Sequence, residues 1–488
     1  MLAFTDSDTR SSRQRKLSQK QQQARLKYLS RKKRKSQLKR QQVETVIETM
    51  RASDQLLLPK VFGPEVISKI LDSIPSIVQK RERVYTPEIT MSLFVQQMLM
   101  EHCGCQKIIH VFNRTRMKQK QAEVSVDTSS YCSARMRLPI KLFETLHEHI
   151  VELVHPSRLE PEWLWKSRRV VLVDGMVVHA PDTPQNQAAY PQPSSQLPGL
   201  GFPQVRITVA ICLASGVVLN SQSGPVEGKK TGETTQFRAM QQTFQRGDII
   251  VTDSNFECFR DLASLKLRGI DMVSCINGTR SSPFQGRCVA IEDKYERIPK
   301  PKFSSERFTR EEWEALPAFI TVRIIRYPVG GRSESITIVT TLLDREEYPA
   351  QDIAALYGYR WSCELDIRSI KTIMGMNELA CHSPEMLQRE IMAYFLAYNL
   401  VRVTMVDAAR VTNQKPNRLA FKSAKNAWLA FDAATTDNES YSWLLWSVAQ
   451  QTIGHRPGRQ EPRKVKRRNS KYERLKIPRA QEKAALAA

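Results

Sequence analysis

The chain has 488 residues, a hydrophobic fraction of 41% and a formal net charge of +24. That length and apolar content support a sizeable core divided among roughly two to four packed units. Nine cysteines, an odd number with no regular framework and no CxxC pair, exclude a secreted disulfide scaffold and give no expectation of structural zinc.

The charge is unevenly placed. Residues 10–40 carry 14 Lys or Arg and no acid, and residues 456–479 carry 11 against two acids, so two terminal arms hold all but one unit of the net charge. Clustered cations displace counterions from a polyanion, which makes DNA or RNA the leading partner, with solvated tails or localisation signals as the alternative. The N-terminus carries Arg and Gln rather than a short apolar stretch, so no secretory signal is expected. The most apolar run, Ile391 to Val406, is interrupted by Asn399 and Arg402 and falls short of a membrane span, so no membrane partner is expected.

In chain order, residues 1–55 form a basic arm able to become a long helix on DNA, and residues 56–160 read as a helical DNA-binding domain. Val66, Ile67, Ile70 and Leu71, and later Leu142, Leu146, Ile150 and Leu153, recur at helical spacing. Asp127-Thr128-Ser129 supplies capping residues ahead of a further helix. A strand from Arg169 to Val173 ends at Asp174-Gly175, and a Pro- and Gln-rich loop from Pro181 to Pro203 leads to a hairpin of Val205 to Leu213 and Val217 to Leu219. Then come a helix over Thr231 to Gln245, a strand from Asp248 to Thr252 ending at Asp253, a helix over Phe256 to Leu267, and a strand over Asp271 to Ile276. Three strands, helix, strand, helix, strand is the order of an α/β, RNase H-like catalytic core, whose first part spans 161–276.

From Asn277 the period becomes two, with strands at Phe319 to Ile325 and Ser335 to Leu342 around Gly330-Gly331, so residues 277–349 read as a β-rich insertion. Helical character returns at Asp352, and residues 350–412 form the second part of the core. A helical region rich in Trp and Ala fills 413–454, and a basic tail closes the chain at 455–488.

Three acids stand out. Asp174 and Asp253 each follow an apolar strand, and in an RNase H-like sheet the first and fourth strands are neighbours. Two adjacent carboxylates form either a raised-pKa acid or a site for a cation, and hard oxygen ligands favour Mg²⁺ or Mn²⁺. An Asp before Gly is also a common turn former. The third acid, Glu364, lies in a helical stretch where Arg360, Lys371, Glu364 and Tyr357 fall at about 0°, 20°, 40° and 60° on one face. Cations flanking a carboxylate along one line suit an acid that holds a metal while its neighbours hold phosphates; an exposed face with adventitious ion pairs is the alternative.

Tyr357, Arg360, Glu364 and Lys371, with gaps of two, three and six residues, resemble the Tyr-Arg-Glu-Lys signature of the insertion-sequence transposases called the IS-four family. The segment Val251-Thr252-Asp253-Ser254-Asn255-Phe256 and the earlier Tyr131-Cys132-Ser133-Ala134-Arg135-Met136-Arg137-Leu138-Pro139 extend the resemblance over roughly residues 125–410. Met176 stands where family members carry Thr or Ser, and Ser254-Asn255 where they carry Arg-Gly; neither removes a ligand. The resemblance implies a DDE enzyme in which Asp174, Asp253 and Glu364 are catalytic and bind two Mg²⁺ (or Mn²⁺), one activating water or a DNA 3′-hydroxyl and the other stabilising the leaving oxygen. It further implies cut-and-paste DNA transposition of an insertion sequence through hairpin ends, with element ends and target DNA as partners. A homodimer would pair the ends in a synaptic complex, in the cytoplasm at a prokaryotic nucleoid. Arg360 and Lys371 would hold phosphates, Tyr357 would position the terminal nucleotide, and Trp313 of the insertion would stack on a flipped base.

Two alternatives keep parts of this chemistry: an RNase H-like DNA nuclease without strand transfer, and a transposase-derived DNA-binding protein that no longer cuts. All three acids are present, against the second. Leu146-His147-Glu148-His149-Ile150 lacks the spacing of a zinc-protease helix and reads as surface. Gly199-Leu200-Gly201 lacks a third glycine, and without a P-loop no use of ATP is indicated.

Overall fold

The computed structural model describes residues 40–48, 64–74, 83–276, 283–286, 288–304, 309–328, 335–431 and 438–453, with a few isolated residues nearer the ends. The two basic arms and the Gly330-Gly331 turn lie almost wholly outside them.

Among the described residues, the helices ahead of the sheet include α1 (Pro64–Asp72), α2 (Pro87–Leu99), α3 (Cys105–Lys118), α4 (Ser129–Arg137) and α5 (Ile140–Leu153). Their starts follow from local chemistry. The Thr86 hydroxyl accepts from the Ile89 N–H with Pro87 in the first turn of α2, and the Asp127 carboxylate accepts from the Ser129 N–H at 2.6 Å ahead of α4. Helix α5 buries Leu142, Leu146, Ile150 and Leu153. His147 is not on the surface as expected: it is half-buried, with Nε2 3.2 Å from the Leu219 carbonyl, and burial pulls its pKa below the usual range.

The sheet follows, with β1 (Val170–His179), α6 (Pro184–Ala189), β2 (Gln204–Cys212), β3 (Val218–Pro225), α7 (Glu233–Ala239), β4 (Ile249–Thr252), α8 (Phe259–Leu267) and β5 (Asp271–Cys275). Then come β6 (Glu292–Pro299), α9 (Arg310–Ala315), β7 (Phe319–Pro328) and β8 (Ser335–Thr340). The strands form one eight-stranded sheet in the order β3-β2-β1-β4-β5-β8-β7-β6. Among the described strands β1 with β4 and β4 with β5 run parallel, and the other neighbours pair antiparallel. Both faces of this central part are covered, which is why Val170–Val173 and Ile249–Val251 are unbroken apolar runs and not alternations.

Several bounds differ from the sequence reading. Strand β1 does not end at Asp174 but pairs with β2 as far as His179. Helix α7 stops at Ala239 before a 3-10 turn at Gln241–Thr243, and a 3-10 turn at Ser254–Phe256 precedes α8. Strand β6 escapes the sequence reading because its residues, Glu-Asp-Lys-Tyr-Glu-Arg-Ile-Pro, belong to an exposed edge and carry little apolar signal.

The C-terminal helices are α10 (Ala350–Gly358), α11 (Arg360–Arg368), α12 (Pro384–Val411), α13 (Phe421–Ala430) and α14 (Asn438–Ala449). Ser383 caps α12 by accepting from the Met386 N–H, and α12 packs against α2, α5, α13, α14 and β3. Its Asn399 side chain bonds both the N–H and the carbonyl of Val218, at 2.8 and 2.9 Å. By length and composition α12 does pass as a membrane span, contrary to the sequence reading; 94% of its apolar window is buried, and here it is the central core helix.

Two adjacent arginines fix how the parallel strands meet. Arg169, just before β1, is buried and gives two hydrogen bonds, 2.9 and 2.6 Å, to the buried Asp248 carboxylate just before β4. Arg168 reaches Asp271, the first residue of β5, at 2.7 Å. Removing one partner of a buried pair strands the other charge, so Asp248→Ala is expected to cost about 3–5 kcal/mol of stability. Equilibrium denaturant unfolding measures this; a loss within about 0.5 kcal/mol, the scale of an ordinary surface substitution, would mean the pair does not hold the register.

Candidate active site

The parallel pairing of β1 with β4 sets Val170 against Ile249 and Leu172 against Val251. Continued two residues further, the same register brings Asp174 opposite Asp253. There the strands part: β1 goes on with β2, while β4 ends and the chain turns at Asp253. The Asp253 carboxylate accepts from the Asn255 N–H at 2.9 Å, and its carbonyl accepts from the Ser274 hydroxyl of β5 at 2.6 Å. The Asp174 carboxylate accepts from the Gly175 N–H at 2.8 Å.

Gly175 is not a turn residue. It lies mid-strand opposite Thr208, and a Cβ there would stand 2.2 Å from a carboxylate oxygen of Glu233, the far end of a flexible side chain in the first turn of α7.

The third acid arrives on α11, which packs on β1. The stretch carrying it is not one regular helix: α10 ends at Gly358, Tyr359 joins it to α11, and Ser369–Ile373 forms a π turn. The break at Tyr359 and the π turn both change the angular step between residues, so the 100° spacing holds for Arg360 and Glu364, which share α11, better than for Tyr357 or Lys371. After the π turn the chain is tied back to β1, His179 N–H to the Asn377 carbonyl at 3.0 Å and Leu379 N–H to the His179 carbonyl at 2.8 Å.

Arg360 is the local counter-charge. Its guanidinium donates to Glu364 at 2.9 Å and lies 3.9 Å from Asp174. Burial, with Asp253 and Glu364 nearby, pushes Asp174 up to about 6 against the opposing pull of the Gly175 N–H and Arg360. Burial also raises Asp253, opposed by the Asn255 N–H and Arg360. Lys371 is half-buried, and burial lowers its pKa.

Tyr357 is turned inward. Its ring is buried, its phenol meets the Cys275 thiol, and burial raises its pKa. The exposed rings on this stretch are Tyr359 and Trp361. Trp313 is half-buried on α9; its Nε1–H donates to the Pro301 carbonyl at 3.0 Å and Lys300 lies 4.0 Å from its ring centroid.

The donor set, carboxylate oxygens alone, suits hard cations such as Mg²⁺ or Mn²⁺. Among the described residues no three His, Cys, Asp or Glu side chains stand ready to hold a metal together, and Arg360 takes up the space between Glu364 and Asp174.

A family model described as a transposase DDE domain matches residues 165–400, the stretch that carries all three acids. The chain carries a transposase DDE domain. A curated relative, the transposase InsG for insertion sequence element IS4 of Escherichia coli (strain K12), is 25% identical over 369 residues, 74% of this chain and 79% of the relative. The resemblance read from Tyr357 to Lys371 is thereby borne out. The cryo-EM structure of a piggyBac transposase synaptic complex with hairpin DNA aligns at 12% identity and a TM-score of 0.42, covering 83% of this transposase and 87% of that chain.

The raised pKa of Asp174 has a consequence for stability. The folded chain keeps the proton up to about pH 6 while the unfolded chain releases it near 3.8, so without metal this group lowers stability as pH rises through that interval. Asp174→Asn is expected to remove that slope and to be more stable than wild type at neutral pH by on the order of 3 kcal/mol. Thermal unfolding of metal-free protein from pH 4 to 8 measures this; parallel curves for both proteins would contradict it.

Proposed function

We propose that this transposase moves an insertion sequence by metal-dependent cut-and-paste, with Asp174, Asp253 and Glu364 as its catalytic acids. The observation that carries the reading is the convergence of three acids from β1, the end of β4 and α11 on one guanidinium, two of them held above the usual carboxylate range. We take β1 to β5, with β1 flanked by β2 and β4, as an RNase H-like core, and residues 277–349 as its β-rich insertion.

Asp174, Asp253 and Glu364 would hold two Mg²⁺ or Mn²⁺ ions, which supply activation of the attacking oxygen and charge stabilisation at the leaving one. The chain's own residues do the rest. The three carboxylates fix the place of the scissile phosphate at the open end of the parallel strands. Arg360 is free to exchange Glu364 for a phosphate oxygen, since a guanidinium binds both in the same planar, two-pronged way. Lys371 adds a second, half-buried cation. Tyr357 acts from beneath, holding the α10–α11 junction that aims Arg360, and the exposed rings of Tyr359 and Trp361 are better placed than Tyr357 to meet a base. In-line attack by water gives a nicked end, and attack by a DNA 3′-hydroxyl gives a hairpin or a joined product. Two ends must be processed in register, which calls for a homodimer in a synaptic complex. Lys and Arg in the arms, at residues 10–40 and 456–479, would hold DNA through its phosphates.

The test is a cleavage and joining assay on a plasmid with the native element ends and Mg²⁺. Wild type should yield nicked or hairpin ends and joined product, while Glu364→Ala binds DNA and does neither, a loss of at least about 10³-fold as expected for a group acting in the transition state. Cleavage without joining by wild type would favour the nuclease alternative, and a Glu364→Ala protein as active as wild type would remove Glu364 from the mechanism.

A further inference from the structure

A cavity of about 660 Å³ lies between the helical region ahead of β1 and the segment that follows the π turn. Four of the nine cysteines line it: Cys103, Cys105, Cys132 and Cys381. All nine are free thiols. The sulfurs of Cys105, first residue of α3, and Cys132 on α4 are 3.7 Å apart. Closing that gap to the roughly 2 Å of a disulfide asks for side-chain rotation and a small shift of one helix end.

A buried cation stands beside them. Arg135 is 8% exposed, and among the described residues no carboxylate lies within ion-pair distance of it. Its Nε is buried with no hydrogen-bond partner, while its Nη2 donates to the Cys132 sulfur at 3.9 Å. The nearby Glu390 carboxylate is instead taken by the N–H groups of Ala380 and Cys381. A buried guanidinium without a carboxylate favours a negative charge on whatever acid is nearest, and here that is a thiol. The titration of the pair agrees in direction: the contact shared with Cys105 lowers Cys132, burial opposes it and Arg135 adds to it, while the same contact and burial raise Cys105. The site is built to hold its shape. Gln97 donates to the Cys103 carbonyl at 2.8 Å and accepts from the Tyr131 hydroxyl at 3.0 Å, joining the Cys103–Cys105 turn to α4.

We propose that Cys132 and Cys105 are a peroxide-reactive dithiol, Cys132 the attacking thiolate beside Arg135 and Cys105 the resolving thiol. The Cys132 thiolate attacks one oxygen of a hydroperoxide; the O–O bond breaks, Cys132 becomes a sulfenic acid and the other oxygen leaves, taking up one proton from solvent, as an alcohol or, from hydrogen peroxide, as water. The Cys105 sulfur then attacks the sulfenic sulfur, its thiol proton leaves with the hydroxyl as water, and the S–S bond forms. Two thiols have lost two electrons to one peroxide. The bond staples the start of α3 to α4 in the wall of the cavity that faces residues 375–386, directly after the catalytic stretch.

The test uses the full chain, folded and reduced, exposed to one equivalent of hydrogen peroxide, alkylated and mapped by peptide mass spectrometry. The expected result is loss of two of nine alkylatable thiols as a Cys105–Cys132 disulfide reversed by dithiothreitol, and in Cys105→Ser a sulfenic acid on Cys132 trapped by a dione probe. Because the wild-type map needs no variant, it stands even where a substitution disturbs folding. Oxidation confined to a thiol outside this site, such as the half-buried Cys288, or a disulfide between other partners, overturns the proposal. So does a purified chain that carries one equivalent of zinc on these thiols.

Discussion

The buried ion pair between Arg169 and Asp248 sets the geometry on which the rest depends. It ties the residue before β1 to the residue before β4, and Arg168 with Asp271 does the same for β5. Parallel strands have no hairpin to fix their register, so these links at the strand starts govern what meets at the strand ends. Register fixed at Val170 to Leu172 carries through to Asp174 and Asp253. The strands then diverge, and an open end of parallel strands is the usual place for a site in an α/β sheet.

What collects in that opening is an excess of negative charge against one guanidinium. A structural ion-pair cluster would pair acids and cations evenly. Here Asp174 is pushed to about 6 by burial and by its acidic neighbours, while Arg360 is shared between Asp174 and Glu364. The arrangement is electrostatically incomplete in the apo chain, which is the condition under which cations and phosphates bind with a gain. The break at Tyr359 and the π turn at Ser369–Ile373 bracket α11, and the backbone bonds from residues 377–379 to His179 hold its far side on β1.

The sequence made part of this legible. Strands β1 and β4 announce themselves because burial on both faces demands unbroken apolar runs, and the spacing from Tyr357 to Lys371 carries the family signature. Other features left no local signal. Asp174 reads as a strand end because Gly175 looks like a turn, when β1 runs through the glycine and pairs with β2 as far as His179. Strand β6 is charged because it is an edge. The inward turn of Tyr357 depends on Cys275 and Tyr327, from other strands. The contact of Cys105 with Cys132 spans 27 residues and joins two helices, so only packing reveals it.

The central claim is that Asp174, Asp253 and Glu364 together hold the divalent ions. Electron paramagnetic resonance of Mn²⁺ bound to the full chain on DNA carrying its element's ends reads this without relying on turnover. Wild type should broaden and deplete the free Mn²⁺ signal, and Asp174→Asn and Asp253→Asn should each restore it while still binding DNA. Unchanged Mn²⁺ uptake by both variants would contradict the account.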